Sequence, residues 1–192
     1  MSIQPVMPHR AMTVAEYLAI GEVESGYTEL EEGRLVLAAS PIPDHGVATI
    51  EFAIQLRPQL PPELEIIADM DVDLQLAPAD APGTVRRPDL ILVQRSARQR
   101  VRRDGGIIRA SEVVVAIEVL SPSSRRLDQI GKRAEYADAG IPYYWIIDVD
   151  EPVSLIACHL AGEFGYVDGG AVTGVFRTTE PFPVELDLDA LL

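Results

Sequence analysis

The sequence predicts an α/β fold of the α+β type, in which helices flank a mixed central β-sheet. Apolar runs at residues 113–120 and 143–147 have the length and the β-branched and aromatic content of buried strands. The segment between them, residues 124–139, is followed by Gly140 and Pro142, which are typical of the end of a helix. A strand, a helix and a second strand in succession, with further strand-like runs before and after, indicate a sheet that carries helices.

The length and composition are those of an ordinary globular domain. The 192 residues are 47% hydrophobic and 24% charged, which suits one domain with a real core. Residues 1–12 are expected to be a flexible lead-in, and residues 13–192 a single domain. No apolar run approaches the roughly 18 residues of a membrane span, and the N-terminus lacks the apolar stretch of a secretory signal. Cys158 is the only cysteine, so a cytoplasmic location with no membrane partner is predicted.

The first third of the chain is predicted to contain two helices and a hairpin. Residues 13–16, Thr-Val-Ala-Glu, form a capping box that begins a short helix. Residues 27–30 and 34–38 read as the two strands of a hairpin. A longer helix is expected at residues 44–57, where a proline ends it. Its predicted apolar stripe consists of Val47, Ile50, Ile54 and Leu56.

The other segments are predicted mainly as strands. Three strands are expected before the central unit, at residues 63–69, 71–77 and 88–93. A basic segment at residues 95–106 is interpreted as a short helix and a loop. Beyond the central unit, a meander is predicted at residues 153–160, 163–167 and 174–178, followed by a tail at residues 181–192.

The helix predicted at residues 124–139 has two distinct faces. Ser123 or Ser124 is its expected N-cap. An apolar stripe, expected to be buried, consists of Leu127, Ile130, Ala134 and Ala137. A polar stripe on another face consists of Asp128, Lys132 and Tyr136, each four residues after the last. Lys132 is the only lysine in the chain.

The charge is unevenly distributed along the sequence. The net charge of −14 would repel a polyanion. However, 12 of the 16 basic residues lie between Arg86 and Arg133, together with only five of the 30 acidic residues. This region either attracts a polyanion such as nucleic acid, or its arginines pair with acidic residues elsewhere in the fold.

Three carboxylates, Glu29, Asp89 and Glu118, enter or interrupt apolar strand segments. A charge inside a buried strand is costly unless something pairs with it, so each is a structural ion-pair partner or a site residue. If the strands that carry Asp89 and Glu118 are neighbours, the two carboxylates can share a hard cation such as Mg²⁺. Lys132 is the one lysine available to orient a water molecule or to stabilise charge on a phosphoryl group.

Several motifs together resemble the Uma family of restriction endonucleases, within the PD-(D/E)XK nuclease superfamily. They are Pro88-Asp89, the strand end Glu118-Val119-Leu120 and the following run LSPSSRRLDQIGKRAEYADAGIPYYWIID. The resemblance extends to the hairpin ELEEGRL that begins at Glu29, to Ser40-Pro41 with His45, and to Glu185-Leu186-Asp187-Leu188. It thus covers about residues 13–192.

The resemblance implies a restriction-endonuclease-like core and hydrolysis of phosphodiester bonds, most naturally in DNA, with Mg²⁺ or alternatively Mn²⁺. The acidic positions of the family fall on Glu29, Asp89 and Glu118, which would hold the metal. The superfamily lysine two residues after the strand glutamate is replaced by Leu120. Uma-like sequences have a lysine in the following helix, which corresponds to Lys132. The candidate substrate contacts are His45, Ser121, Arg125 and Tyr136.

Structural roles remain open for the same residues. Glu118 can form a buried ion pair with an arginine such as Arg87 or Arg109. Lys132 can pair with Asp128, four residues before it. Ordinary roles as caps, solvated side chains or packing residues are also open for Glu29, His45, Asp89, Ser121 and Tyr136.

Three functions remain open at this point. The first is a metal-dependent endonuclease. The second is a nucleic-acid-binding module that keeps the nuclease fold without turnover, which the leucine at position 120 and the net charge favour. The third is an acidic interaction protein whose arginine-rich region docks an acidic partner or a second copy of the chain, with the apolar meander at residues 153–178 as a homodimer surface.

Overall fold

Three β-sheets and four α-helices make up the part of the fold that is described by the structure, a computed structural model covering residues 10–21, 26–37, 42–121, 125 and 127–192. The helices are α1 (Val14–Ile20), α2 (Pro43–Leu56), α3 (Arg95–Asp104) and α4 (Arg133–Asp138), and a π-helix (Leu127–Lys132) leads into α4. The predictions for Ser40-Pro41 and for a cap at Ser123 or Ser124 lie outside the described residues.

The longer predicted strands are present, but the strand expected at residues 71–77 is only Val72–Asp73, and the strand expected at 163–167 instead runs over Tyr166–Thr173. The strands are β1 (Thr28–Glu31), β2 (Arg34–Leu37), β3 (Leu64–Ala68), β4 (Val72–Asp73), β5 (Val85–Arg86), β6 (Leu90–Gln94), β7 (Ile108–Arg109), β8 (Val113–Leu120), β9 (Tyr143–Asp148), β10 (Ser154–Leu160), β11 (Tyr166–Thr173), β12 (Val175–Thr178) and β13 (Val184–Asp187). The predicted α+β fold with mixed sheets flanked by helices is therefore confirmed.

The largest sheet has six strands in the order β11-β10-β9-β8-β6-β3. Its neighbours are antiparallel except β8 and β9, which are parallel. Parallel neighbours need a crossover connection, and the π-helix and α4 lie in that connection. A second sheet, β2-β1-β5-β4-β7, contains the predicted hairpin, and β12 pairs with β13.

Alternate residues of β8 face two separate cores. Ile117 and Val119 pack in the core that contains α2, whereas Ala116 and Leu120 pack in the core that contains Tyr136 of α4. Because side chains alternate along a strand, Glu118 points to the same side as Ala116 and Leu120. The position of β8 in the sheet therefore directs Glu118 toward the helical crossover.

The predicted apolar stripe of α2 is wrong except at its last residue. The solvent-exposed side chains are Val47, Ile50 and Ile54, with exposed fractions of 48%, 62% and 58%. The buried side chains are Ala48, Phe52 and Leu56, which also lie four residues apart. Phe52 decides the orientation, since its ring packs edge-on against Trp145 with the ring centroids 6.3 Å apart.

In the crossover helix (the π-helix and α4, residues 127–138), the predicted buried stripe is wrong except at Ala137, which packs partly buried against the core. Leu127 and Ile130 are exposed, at 39% and 65% of their surface. The buried face is the polar one, formed by Asp128, Lys132 and Tyr136. Burying polar groups costs little only where they find hydrogen-bonding or ionic partners. For Lys132 and Tyr136 these partners include carboxylates on other elements.

Both ends of the described chain are packed into the fold. Met12, at the end of the predicted lead-in, is buried and exchanges backbone hydrogen bonds with Gly33 and Gly83. The predicted tail at residues 181–192 instead contains β13, and its side chains Leu186, Leu188 and Leu191 are fully buried. Their apolar spacing places them over the core beside α2. Among the described residues, no helix is long and apolar enough to span a membrane.

Candidate functional site

Asp89 and Glu118 lie side by side on neighbouring strands. Leu90 pairs with Ile117 in the antiparallel ladder, so extending the register by one residue places Asp89 opposite Glu118. The backbone N–H of Val119 donates a hydrogen bond of 2.7 Å to Oδ2 of Asp89 and holds this carboxylate at the start of β6. The condition set by the sequence, that these two strands be neighbours, is thus met.

The ammonium of Lys132 reaches the same place from the crossover helix. Its Nζ lies 2.9 Å from Oε1 of Glu118, 3.3 Å from Oδ1 of Asp128 and 3.6 Å from Oε1 of Glu29. Lys132 is the last residue of the π-helix, and its side chain is 8% exposed. The partner of Glu118 is therefore this lysine rather than an arginine, and the pairing of Lys132 with Asp128 exists beside it.

Tyr136 makes a second hydrogen bond to Glu118. Its hydroxyl donates to Oε1 of Glu118 at 2.8 Å, and the tyrosine is fully buried. Burial raises the pKa of Glu118 well above its usual range; Lys132 opposes this shift, and the negative charges of Asp89 and Asp128 add to it. Lys132 is therefore the group that favours the charged form of Glu118.

The charge on Lys132 is secured by the same neighbours. Burial alone would lower the pKa of its ammonium, but Glu118, Glu29 and Asp128 surround the group and raise the pKa above its ordinary value. Lys132 is therefore cationic at physiological pH.

Glu29 is buried and fully engaged. One oxygen, Oε2, accepts a hydrogen bond of 2.9 Å from Nη1 of Arg86. The other, Oε1, accepts one of 2.9 Å from the backbone N–H of Arg87 and faces Lys132. Arg86 is itself fully buried and binds Glu135 of α4 through Nε and Nη2, each at 2.6 Å.

His45 and Asp69 lie around Asp89. Nε2 of His45 is 3.1 Å from Oδ2 of Asp89, and this hydrogen bond raises the pKa of the imidazole against the effect of burial. Burial and the negative charge of Asp89 raise the pKa of the Asp69 carboxyl. Asp69 directly follows β3, the neighbour of β6, and its backbone N–H donates to the carbonyl of Asp89.

The other candidate substrate contacts are placed differently. Ser121 is buried immediately after β8. Arg125 binds the carboxylates of Asp148 and Asp150, and its side chain is 34% exposed. Tyr136 is buried against Glu118 and so acts on that carboxylate rather than at the surface.

The basic region is largely neutralised by acidic partners within the fold. Ion pairs join Arg87 to Asp71, Arg98 to Glu65, Arg100 to Glu112, Arg103 to Asp104 and Arg133 to Asp168. The sequence left open whether these arginines attract a polyanion or pair internally, and the described residues show extensive internal pairing.

Three members of this site were not identified as such from the sequence: Arg86, Asp69 and Asp128. Arg86 had no clear signal, since β5 has only two residues and an arginine in an arginine-rich region is ordinarily exposed. Asp128 was interpreted only as a surface partner of Lys132. Asp69 had no signal, because its approach to Asp89 depends on the pairing of β3 with β6.

Asp89 and Glu118 fit a hard cation as a pair of ligands. Oδ1 of Asp89 and Oε2 of Glu118 accept no hydrogen bond from the described residues, whereas the other oxygen of each carboxylate is engaged. One or two carboxylates with water are the usual protein ligands of Mg²⁺. Among the described residues, no group of three or more histidine, cysteine or acidic side chains is arranged to hold a metal ion.

A solved structure and a family model agree with this fold, whereas no curated protein matches the chain. A crystal structure of a putative nuclease belonging to DUF820 from Anabaena variabilis is 18% identical, covers 94% of this chain and 97% of its own, and has a TM-score of 0.68. A family model, Uma2, described as "Putative restriction endonuclease", matches residues 14–175, and this description supports a nuclease. The chain belongs to the Uma2 family, as its motifs predicted.

Proposed function

We propose that the protein is a metal-dependent endonuclease that hydrolyses phosphodiester bonds, with DNA as its substrate. One observation carries the proposal: the Lys132 ammonium lies 2.9 Å from Glu118, whose neighbour across the sheet is Asp89. Two carboxylates from neighbouring strands and a lysine beside them form the set expected for phosphodiester hydrolysis. The family description supports nuclease activity, and the metal and the substrate are part of the proposal.

Asp89 and Glu118 would hold the cation, Mg²⁺ or alternatively Mn²⁺, through the two oxygens that are otherwise unengaged. When bound, such a cation lowers the pKa of a water molecule and neutralises charge on the phosphoryl group. Lys132 would supply a second positive charge beside the phosphate, fixed by its own hydrogen bond to Glu118. Val119 and His45 would orient Asp89 through its other oxygen.

The substrate would approach from the exposed rim of the site. The side chains of His45 and Asp89 are 13% and 16% exposed, whereas Glu118 and Lys132 are nearly closed off from solvent. Arg125 is the candidate phosphate contact with the most exposed side chain. Phosphate contacts position DNA without reading its sequence, so these residues imply no target site.

Cleavage of plasmid and oligonucleotide DNA with Mg²⁺ or Mn²⁺ tests the proposal. We expect cutting by the wild type and a loss of at least about 100-fold in Asp89→Ala and Glu118→Ala, since each removes a ligand of the cation. Asp80→Ala, which removes an exposed carboxylate from a turn outside the basic region, is the matched control and should cut normally. Wild-type cutting that persists unchanged in both carboxylate variants would overturn the assignment.

A non-cleaving nucleic-acid-binding module is the second candidate. It is favoured by the pairing of Glu118 with Lys132, since the two residues are only 2% and 7% exposed. Salt-sensitive DNA binding without cleavage under any divalent metal would select it. Homodimerisation through the meander at residues 153–178, where Phe164 is 85% exposed, and a cytoplasmic location both stay predictions.

A further inference from the structure

Glu29 differs from the other two carboxylates of the site, because both of its oxygens are engaged by fixed donors. Arg86 donates to Oε2, and the backbone N–H of Arg87 donates to Oε1, each at 2.9 Å. Glu29 is 4% exposed. A cation at this carboxylate would compete with a buried guanidinium and a backbone donor for its lone pairs, whereas Asp89 and Glu118 each keep an oxygen that accepts no hydrogen bond from the described residues.

Arg86 connects Glu29 to the crossover helix. Its guanidinium donates to Glu29 through Nη1, and to Glu135 through Nε and Nη2 at 2.6 Å each. A bidentate pair of this kind fixes both the position and the direction of its partners. Arg86 is 0% exposed, so water does not compete for these hydrogen bonds.

The two hydrogen bonds from Arg86 to Glu135 fix the helical turn that carries Lys132. Lys132 and Glu135 are three positions apart, and Lys132 is the point where the π-helix passes into α4. A helix side chain usually reaches a neighbour only if its own turn is held in place. Glu29 is on β1 and Arg86 on β5, which belong to one sheet, whereas Glu118 is on β8 of another sheet. The contacts of Arg86 thus hold the lysine between two sheets.

We propose that Glu29, Arg86 and Glu135 form a positioning network that holds the Lys132 ammonium against Glu118, and that Glu29 is a positioning residue and not a ligand of the cation. The consequence for catalysis rests on the proposed nuclease function. The placement of Lys132 does not depend on it, and can be measured in a protein that cuts nothing.

The single lysine makes that measurement direct. Protein labelled with ¹⁵N at the lysine side chain gives one Nζ signal, from Lys132. We expect the wild-type ammonium protons to exchange slowly, since the group is buried and hydrogen-bonded. Glu29→Gln and Glu135→Gln each replace an acceptor of Arg86 by an amide, and both should shift the Nζ signal and speed the exchange.

Glu31→Gln is the matched control. Glu31 lies on β1 two residues from Glu29, its side chain is 48% exposed, and it approaches Arg86 only to 3.7 Å. The same loss of one negative charge should leave the Nζ signal as in the wild type. Glutamine keeps one acceptor oxygen for Arg86, and Arg86 keeps its pair with Glu29, so we expect Glu135→Gln to stay folded, which circular dichroism checks. An Nζ signal unchanged in Glu135→Gln would overturn the network.

Metal binding and cleavage separate the two roles of Glu29. Mn²⁺ titration monitored by electron paramagnetic resonance should give Glu29→Gln an affinity within about twofold of the wild type, and Asp89→Asn a weaker one by at least about tenfold. Equal losses in the two variants would make Glu29 a ligand and overturn the inference. In cleavage, Glu29→Gln and Glu135→Gln should lower kcat by up to about 100-fold with KM for DNA unchanged. Wild-type protein that cuts no DNA would remove the proposed function alone, and the Nζ signal would still decide the network.

Discussion

Replacing Lys132 by methionine tests how far the buried carboxylates depend on one ammonium. Methionine keeps most of the side-chain length, so the change is mainly one of charge. Lys132 is 7% exposed, with Glu118 at 2.9 Å, Asp128 at 3.3 Å and Glu29 at 3.6 Å from its Nζ. Removing one partner of a buried ion pair costs about 3–5 kcal/mol, because the opposite charge stays buried without compensation. We expect the free energy of unfolding to fall by this amount.

Urea denaturation near neutral pH, followed by circular dichroism, measures that change. Arg102→Met removes an exposed cation from α3 and should change the stability by less than about 0.5 kcal/mol. The double variant Lys132→Met with Glu118→Gln should lose about 1–3 kcal/mol less free energy of unfolding than the two single variants together. The reason is that it leaves no unpaired charge at position 118. A loss of under about 1 kcal/mol in Lys132→Met would refute the reasoning, because a buried pair costs more to break.

Three further outcomes follow from packing and burial. Tyr136→Phe removes the hydroxyl that donates to Glu118 and should lower the free energy of unfolding by about 1.5–3 kcal/mol in urea denaturation. Phe52→Ala should cost about 3–5 kcal/mol and Ile50→Ala under about 1 kcal/mol, since only Phe52 is buried; similar losses would contradict the orientation of α2. Burial raises the pKa of the Cys158 thiol to about 11, so alkylation at mildly alkaline pH should be slow in the folded protein and fast in urea.

The strands and the strand–helix–strand unit were predictable because local signals determine them. The run that forms β8 is apolar except at Glu118, and the glycine and proline after α4 end the helix where the structure ends it. The capping box at Thr13 likewise forms as predicted, with both reciprocal hydrogen bonds. These features depend on residues close in sequence, so one sequence is enough to locate them.

The faces of the two helices were not predictable, because they depend on what lies opposite. In α2 two stripes compete, and the aromatic ring of Phe52 against Trp145 outweighs the branched side chains on the other stripe. In the crossover helix, hydrophobicity favours burying Leu127 and Ile130, and the structure exposes both. Only the positions of distant carboxylates show why the polar face is buried.

The site itself was partly visible in the sequence. An isolated carboxylate in the apolar run of β8 required a partner, and the one lysine of the chain was its evident candidate. The buried role of Arg86 was hidden, because a basic residue in an arginine-rich region is ordinarily a surface residue. Its function became apparent only with the pairing of β1 and β5, which sets Glu29 beside it.

The leucine at position 120, where the resemblance implies a lysine, gives a reason for the proposed network. Residues two apart on a strand share a face, so a lysine at position 120 would be held by β8 itself. Leu120 instead fills the core beside Tyr136. The lysine on the crossover helix must then be held against Glu118 by contacts from outside the strand, and a helix turn is less firmly fixed than a central strand. In the proposed network, the buried polar face of the helix and its hydrogen bonds to Arg86 would supply the rigidity that a strand position gives.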